Sequence, residues 1–168
     1  MMQIEFKLDG EIVRTDVEPN DLLINVLSDK LGKGSVHYGC GDGECGACTV
    51  YLNDKPVLSC LTLAVKVDGM EIKTIEGMKE DKITTTLQKS FLANHALQCG
   101  YCTPGFLINS RALLNLKLKE NEPLTRSEIK EHLKGNLCRC TGYQQIVDAV
   151  QQAAEELGVK TEKEVEII

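Results

Sequence analysis

The sequence is poor in aromatic residues, which make up only 4% of its 168 residues and include no tryptophan. Any hydrophobic core must therefore be built mainly from Leu, Ile and Val. A chain of this length forms one or two domains, and two halves of about 80 residues would each bury little apolar surface. Domains that small usually need a metal site or disulfides as additional support. The eight cysteines of the chain can supply one such site per half.

Three further absences narrow the class of protein. There is no run of about 18 apolar residues, so we expect no membrane span. The first residues, MMQIEFKLDG, lack the basic and apolar segments of a signal peptide. The expected location is the cytoplasm, where clustered cysteines are more often metal ligands or redox groups than disulfides. The net charge of −6 and the lack of a basic stripe argue against nucleic-acid binding, because phosphates would meet no positive surface.

The first half has the pattern of strands with one helix. Residues 4–8 alternate between apolar and polar side chains and lead into Asp9-Gly10, a typical hairpin turn; Asn53-Asp54 is a second turn of this kind. Asn20 is the expected cap of a helix that ends at Gly32. A sheet packed over one helix is the simplest arrangement of these elements.

The second half has the pattern of helices. Between residues 76 and 82 the hydrophobic period changes from two residues to about 3.6, so we place the domain boundary between residues 77 and 78. Four short helices suggest a small bundle, and the chain after Gly158 is expected to be a disordered tail. The first predicted helix contains Leu87 and Phe91, and the second begins at Thr103 as its N-cap. The third begins at a capping box of Thr125 and Glu128, and the fourth spans Tyr143 to Leu157.

The cysteines of the first half follow a spacing known from electron carriers. Cys40, Cys45 and Cys48 form C-x4-C-x2-C, and Cys60 follows in the same half. This is the plant-type ferredoxin spacing for a [2Fe–2S] cluster, with the last ligand closer than usual. Four glycines interleave with the thiols and would let backbone N–H groups approach an anionic cluster. A zinc site of four thiolates is the alternative, but zinc does not require so many glycines.

The cysteines of the second half form two short motifs, each at a junction between predicted helices. LQCGYCTPG contains Cys99 and Cys102, and NLCRCTG contains Cys138 and Cys140. Either motif alone is a weak signal, since CxxC is equally a redox dithiol or half of a zinc site. Together they use every remaining cysteine. If the helices bring the two loops together, they form a second site of four thiolates.

Three motifs, GCGDGECGACTVYL, LQCGYCTPGF and GNLCRCTGY, occur in that order. The chain thereby resembles, over residues 3 to 158, the small iron–sulfur subunit of the molybdenum hydroxylases, which include xanthine dehydrogenase and aldehyde oxidoreductase. The resemblance implies an α+β chain, with a plant-type ferredoxin-like β-grasp domain over residues 1–77 and a [2Fe–2S]-binding four-helix bundle over residues 78–168. It implies one [2Fe–2S] cluster on Cys40, Cys45, Cys48 and Cys60 and another on Cys99, Cys102, Cys138 and Cys140.

The resemblance also implies cofactors and partners outside this chain. Gln98 matches a glutamine that hydrogen-bonds the pterin of the molybdenum cofactor, and Cys140 matches a cluster ligand next to the pterin amino group. The implied partners are a large molybdopterin-binding subunit and a medium FAD-binding subunit. Electrons would leave the molybdenum centre through the cluster of the second half, expected to be the more buried one, and then through the other cluster.

The chain itself carries no residues that suggest substrate chemistry. GDGECG, residues 41–46, matches GxGxxG by letter but lacks the strand and helix of a dinucleotide site. The three histidines are scattered along the chain, and no cysteine is left over as a nucleophile. Two other functions stay open at this point: a free-standing carrier with two clusters, and a scaffold stabilised by zinc without a redox role.

Overall fold

The first half of the chain is built around a five-stranded sheet. The structure is a computed structural model that describes residues 1–162. The strands are β1 (Met2–Leu8), β2 (Glu11–Val17), β3 (Thr49–Leu52), β4 (Lys55–Leu58) and β5 (Glu71–Lys73). Their order in the sheet is β2-β1-β5-β3-β4. β1 and β5 are parallel, and the other neighbouring pairs are antiparallel.

Both predicted hairpin turns are confirmed. Asp9 and Gly10 have φ values of 52° and 96°, and Asn53 and Asp54 have φ values of 47° and 62°. A two-residue turn with both central residues at positive φ matches the twist of the strands that it joins. Turn chemistry thus sets the register of β1 with β2 and of β3 with β4.

The helix beneath the sheet differs from the expectation at its start. It consists of α1 (Leu23–Asn25), continued by a π-helical turn over Val26–Lys30, and its N-cap is Leu22, which has no side-chain cap bond. The Asn20 cap was wrong because Asn20 lies in a turn and the chain is extended again at Leu22, which forms a β-bridge with Leu63. The apolar side of the helix is fully buried with the inner face of β1.

Four α-helices form most of the second half. They are α2 (Lys82–Ala93), α3 (Thr103–Glu120), α4 (Arg126–His132) and α5 (Gln144–Glu156). α2 packs on α3 and α5, and α4 packs on the same two helices. The Thr125–Glu128 capping box is confirmed. The N-cap of α3 is Cys102 instead of Thr103, because a turn from Gly100 to Thr103 starts the helix one residue early.

Residues 157–162, which follow α5, are ordered. Val159 is buried, and β7 (Thr161–Glu162) pairs in parallel with β6 (Leu124–Thr125). The expectation of a disordered tail was therefore wrong for residues 159–162, and its remainder, residues 163–168, lies outside the described residues. Within residues 1–162 no helix is long and apolar enough to cross a bilayer.

The two halves meet around Tyr51, a residue of β3 that packs in the core of the second half. Its side chain is 2% exposed, and its hydroxyl donates to the Ile108 carbonyl at 3.2 Å. The Arg111 guanidinium lies 5.0 Å from the Tyr51 ring centroid and donates two bonds to the Asp81 carboxylate, at 3.1 and 2.9 Å. A groove of about 450 Å³ runs along this junction, and no cysteine lines it.

We expect Asp81→Asn to lower the free energy of unfolding at neutral pH by about 1–3 kcal/mol, because Arg111 loses a half-buried charged partner. Asn also caps helices well, so the bond that Asp81 accepts from the Thr84 N–H should survive. Asp81→Ala removes the cap as well and should cost about 1 kcal/mol more. Denaturant unfolding of the three proteins measures both differences.

The same pair predicts a pH dependence. Burial acts to raise the pKa of Asp81, but the bonds from Arg111 and Thr84 outweigh it, and the pKa lies below its ordinary value. A carboxyl with a depressed folded pKa stabilises the fold above its unfolded pKa of about 3.9 and loses that contribution as pH falls through the folded value. The stabilities of wild type and Asp81→Asn should therefore converge below pH of about 4. A constant difference down to pH of about 2 would contradict this origin.

Candidate metal centres

The eight cysteines are free thiols arranged in two sets. The N-terminal set comes from the loop between α1 and β3 and from a 3-10 turn after β4. The C-terminal set comes from the α2–α3 and α4–α5 loops. The N-terminal set consists of Cys40, Cys45, Cys48 and Cys60, and the C-terminal set consists of Cys99, Cys102, Cys138 and Cys140.

Thiols of the N-terminal set lie in two pairs, Cys40 beside Cys45 and Cys48 beside Cys60. Backbone N–H groups of the loop, the first from Asp42 at 3.4 Å, lower the pKa of the Cys40 thiol to about 7. Burial, together with the neighbouring Cys48, raises the pKa of Cys60 to about 11. The loop thus directs amide dipoles at Cys40 and buries the Cys48–Cys60 pair.

Glycines let the loop close around these thiols. A Cβ on Gly39 would lie 2.6 Å from the Cys45 sulfur, closer than real side chains come. Gly46 has a φ of +69°, a conformation that other residues adopt at a cost. The predicted need for glycine is confirmed at both positions.

The C-terminal set is assembled from two loops that the helices bring together. The sulfur atoms of Cys99 and Cys140 are 3.6 Å apart, and Cys102 lies beside Cys138. Burial and the neighbouring Cys138 raise the pKa of Cys102 to about 12. Burial opposes ionisation of Cys138 also, but the Thr141 hydroxyl donates to its sulfur at 3.2 Å and the pKa is lowered overall.

The paired thiols fit [2Fe–2S] clusters better than single metal ions. Each iron of such a cluster takes two of the four thiolates. A structural zinc site instead places four ligands around one ion. Two sets of two thiol pairs, one within a glycine-rich loop, are the geometry expected for two clusters.

Exposure differs between the two sets in a way that the sequence did not indicate. Cys48 and Cys60 are buried, whereas Cys99 and Cys140 are exposed. In the chain by itself the second-half site is thus the more exposed one, and its expected burial next to a partner subunit stays a prediction. Gln98, which directly precedes Cys99, is exposed too.

The two sets are joined directly through the protein backbone. The Leu137 N–H donates to the Cys45 carbonyl at 2.9 Å, and Leu137 directly precedes Cys138. Gly105, in the first turn of α3, lies so close to Gly46 that a Cβ on Gly105 would be 2.2 Å from the Gly46 carbonyl oxygen. The loops that carry the cysteines are therefore in van der Waals contact.

Two side chains complete this contact, and sequence reasoning missed both roles. The Tyr101 hydroxyl donates to the Tyr38 carbonyl at 2.8 Å. Asn136 is 2% exposed and accepts a bond from the Asn109 amide at 2.8 Å. The only available signal was their position beside cysteines in LQCGYCTPG and GNLCRCTG.

Both halves of the chain match known families of iron–sulfur cluster-binding domains. Residues 6–73 match the 2Fe-2S iron-sulfur cluster binding domain, and residues 74–151 match the [2Fe-2S] binding domain. Among curated proteins, the nicotinate dehydrogenase small FeS subunit of Eubacterium barkeri is 45% identical, over 90% of this chain and 94% of the relative. The xanthine dehydrogenase iron-sulfur-binding subunit of Escherichia coli is 42% identical, over 88% and 91%.

A solved structure has the same fold. A chain of quinoline 2-oxidoreductase from Pseudomonas putida 86 superposes with a TM-score of 0.82 at 41% sequence identity, over 92% of this chain and 94% of that chain. Sequence, fold and the two cysteine sets agree. The chain belongs to the family of small iron–sulfur subunits of the molybdenum hydroxylases.

Proposed function

We propose that this chain passes electrons from a molybdopterin centre on a large subunit, through two [2Fe–2S] clusters, to FAD on a medium subunit or to another acceptor. The observation that carries the proposal is the arrangement of all eight cysteines in four thiol pairs. When bound, each cluster accepts and releases single electrons. The protein's activity is that of an oxidoreductase subunit, and substrate is converted on the large subunit.

The ligands that we propose are the two cysteine sets, Cys40 to Cys60 for one cluster and Cys99 to Cys140 for the other. The loop amides directed at Cys40 and the Thr141 hydroxyl on Cys138 would stabilise the thiolates. Hydrogen bonds to sulfur and burial are the means by which proteins shift cluster potentials. Because the sets differ in both, we expect two different reduction potentials.

The fold supports two domains, for which we propose residues 1–77 and 78–168. The sheet over a single helix supports a ferredoxin-like β-grasp domain, and the packing of α2 to α5 supports a four-helix bundle. The family matches meet at residues 73 and 74. Ile75 and Met78 both pack in the second core, so the end of the first domain already contacts the second one.

The partners that we propose are a large molybdopterin-binding subunit and a medium FAD-binding subunit, in the cytoplasm. The exposed positions of Gln98, Cys99 and Cys140 support a large subunit that covers this side of the chain. Gln98 and Cys140 would then contact the pterin, Gln98 through its side-chain amide. Burial of the C-terminal set would follow from assembly.

Metal analysis of the native complex tests the proposal. A tagged chain is isolated anaerobically from its host, with an extract lacking the tag as the control, and iron, molybdenum and zinc are measured. We expect about four irons per molybdenum, since each of two clusters holds two irons. Iron without molybdenum would indicate a free-standing carrier, and zinc in place of iron would refute the redox function.

A further inference from the structure

The contact between the two cysteine sets is made at two separate places. The α2–α3 loop reaches residues just before Cys40 through Tyr101, and the α4–α5 loop reaches Cys45 and Gly46 through Asn136 and Leu137. One attachment would leave the loops free to rotate about it. Two attachments on different segments fix both the separation and the relative orientation of the loops.

The Tyr101 contact has three components. The hydroxyl donates to the Tyr38 carbonyl at 2.8 Å, the His37 ring stacks on the Tyr101 ring with centroids 4.3 Å apart, and the His37 Nδ1 lies 2.6 Å from the Tyr101 carbonyl oxygen. Tyr101 is nonetheless 47% exposed. A large aromatic side chain on the surface thus binds backbone and ring of the opposite loop instead of packing in a core.

The Asn136 contact is buried and polar. Its Oδ1 accepts a hydrogen bond from the Asn109 amide at 2.8 Å, while its Nδ2 has no hydrogen-bond partner in the described part of the chain. The Nδ2 lies so close to Gly46 that a Cβ added to Gly46 would overlap it. A buried amide with an unused donor destabilises a fold. The contribution of Asn136 therefore lies in packing the segment before Cys138 closely against the cysteine loop.

We propose that Tyr101 and Asn136 are positioning residues that hold the two cysteine sets in one fixed geometry, and thereby fix how strongly two bound clusters interact. The inference rests on the proposed function, because it concerns clusters on both sets. Neither side chain reaches a cysteine sulfur through any described contact. Each acts through the loop that it holds.

The test uses the reduced holo-protein and paramagnetic resonance. Two nearby paramagnetic clusters split each other's signals, and the splitting falls steeply as their separation grows. The variants are Tyr101→Phe, Tyr101→Ala, Asn136→Ala and the double variant Tyr101→Ala/Asn136→Ala. Asn115→Ala is the control, because Asn115 also lies on α3 but about one and a half turns beyond Asn109. Iron content and the two reduction potentials are measured alongside.

We expect full iron and narrowed splitting in each alanine variant, and loss of the splitting in the double variant. Tyr101→Phe keeps the stacking of its ring on His37 and should narrow the splitting less than Tyr101→Ala does. Unchanged splitting in the double variant would overturn the inference, as would loss of iron in Tyr101→Phe, which would show a role in forming the site itself. If the wild-type protein lacks two cluster signals, the proposed function fails instead.

Discussion

Cys48→Ala is expected to remove one cluster and leave the other in place. Cys48 is a buried member of the N-terminal set, and the C-terminal set shares no thiol with it. The purified variant should therefore contain about half the wild-type iron and keep the resonance signal of a single cluster. Because a metal site supports a small domain, the protein as a whole should also unfold more readily. Iron analysis and resonance spectra of the reduced protein measure the result.

Cys138→Ala is the matched variant for the other set. It should lose the resonance signal that Cys48→Ala keeps, and it should retain about half the wild-type iron. Alanine is used in both cases because it offers no oxygen ligand in place of sulfur. Loss of the same signal in both variants, or a full iron content in either, would contradict the assignment of the cysteines to two separate clusters.

Gly105→Ala is expected to lower the free energy of unfolding by about 2 kcal/mol, because the new methyl group overlaps the Gly46 carbonyl oxygen. Alanine is the better helix former, and that gain of about 1 kcal/mol makes the measured loss smaller than the steric cost alone. For a protein of this size the unfolding midpoint should fall by roughly 4–8 °C. Thermal unfolding of the holo-protein, followed by circular dichroism, measures the change.

Gly135→Ala provides the control for this steric argument. Gly135 belongs to the same contact, but a Cβ there meets no atom within 4 Å and no positive φ is required. Its midpoint should stay within about 2 °C of the wild type, as for most surface substitutions. Equal midpoints for Gly105→Ala and the wild type would show that the loops separate without cost.

Local chemistry in the sequence predicted the parts of the fold that depend on neighbouring residues. The turns at Asp9-Gly10 and Asn53-Asp54 follow from residues that tolerate positive φ, and the capping box at Thr125 follows from two side chains three residues apart. The start of α1 did not follow, because it depends on the distant residue Leu63, which pairs with Leu22. Tertiary pairing prevailed there over the capping preference of Asn20.

The cysteine sets were predictable for a different reason than the contact between them. Spacing and the order of three motifs identify all eight thiols, since few other side chains can take their place. The bond from Leu137 to the Cys45 carbonyl involves only backbone atoms, which every residue possesses, so no letter of the sequence indicates it. Gly105 likewise reads as an ordinary glycine until the Gly46 carbonyl is seen beside it.

The position of Tyr51 has a consequence for how the molecule unfolds. Its ring leaves the sheet of the first half and fills the core of the second, so a fragment ending at residue 77 would expose a large aromatic surface and leave a cavity in the remainder. Cavities of aromatic size cost about 3–5 kcal/mol, a large share of the stability of any small domain. The two halves, although each has its own thiols, should therefore melt as a single cooperative unit.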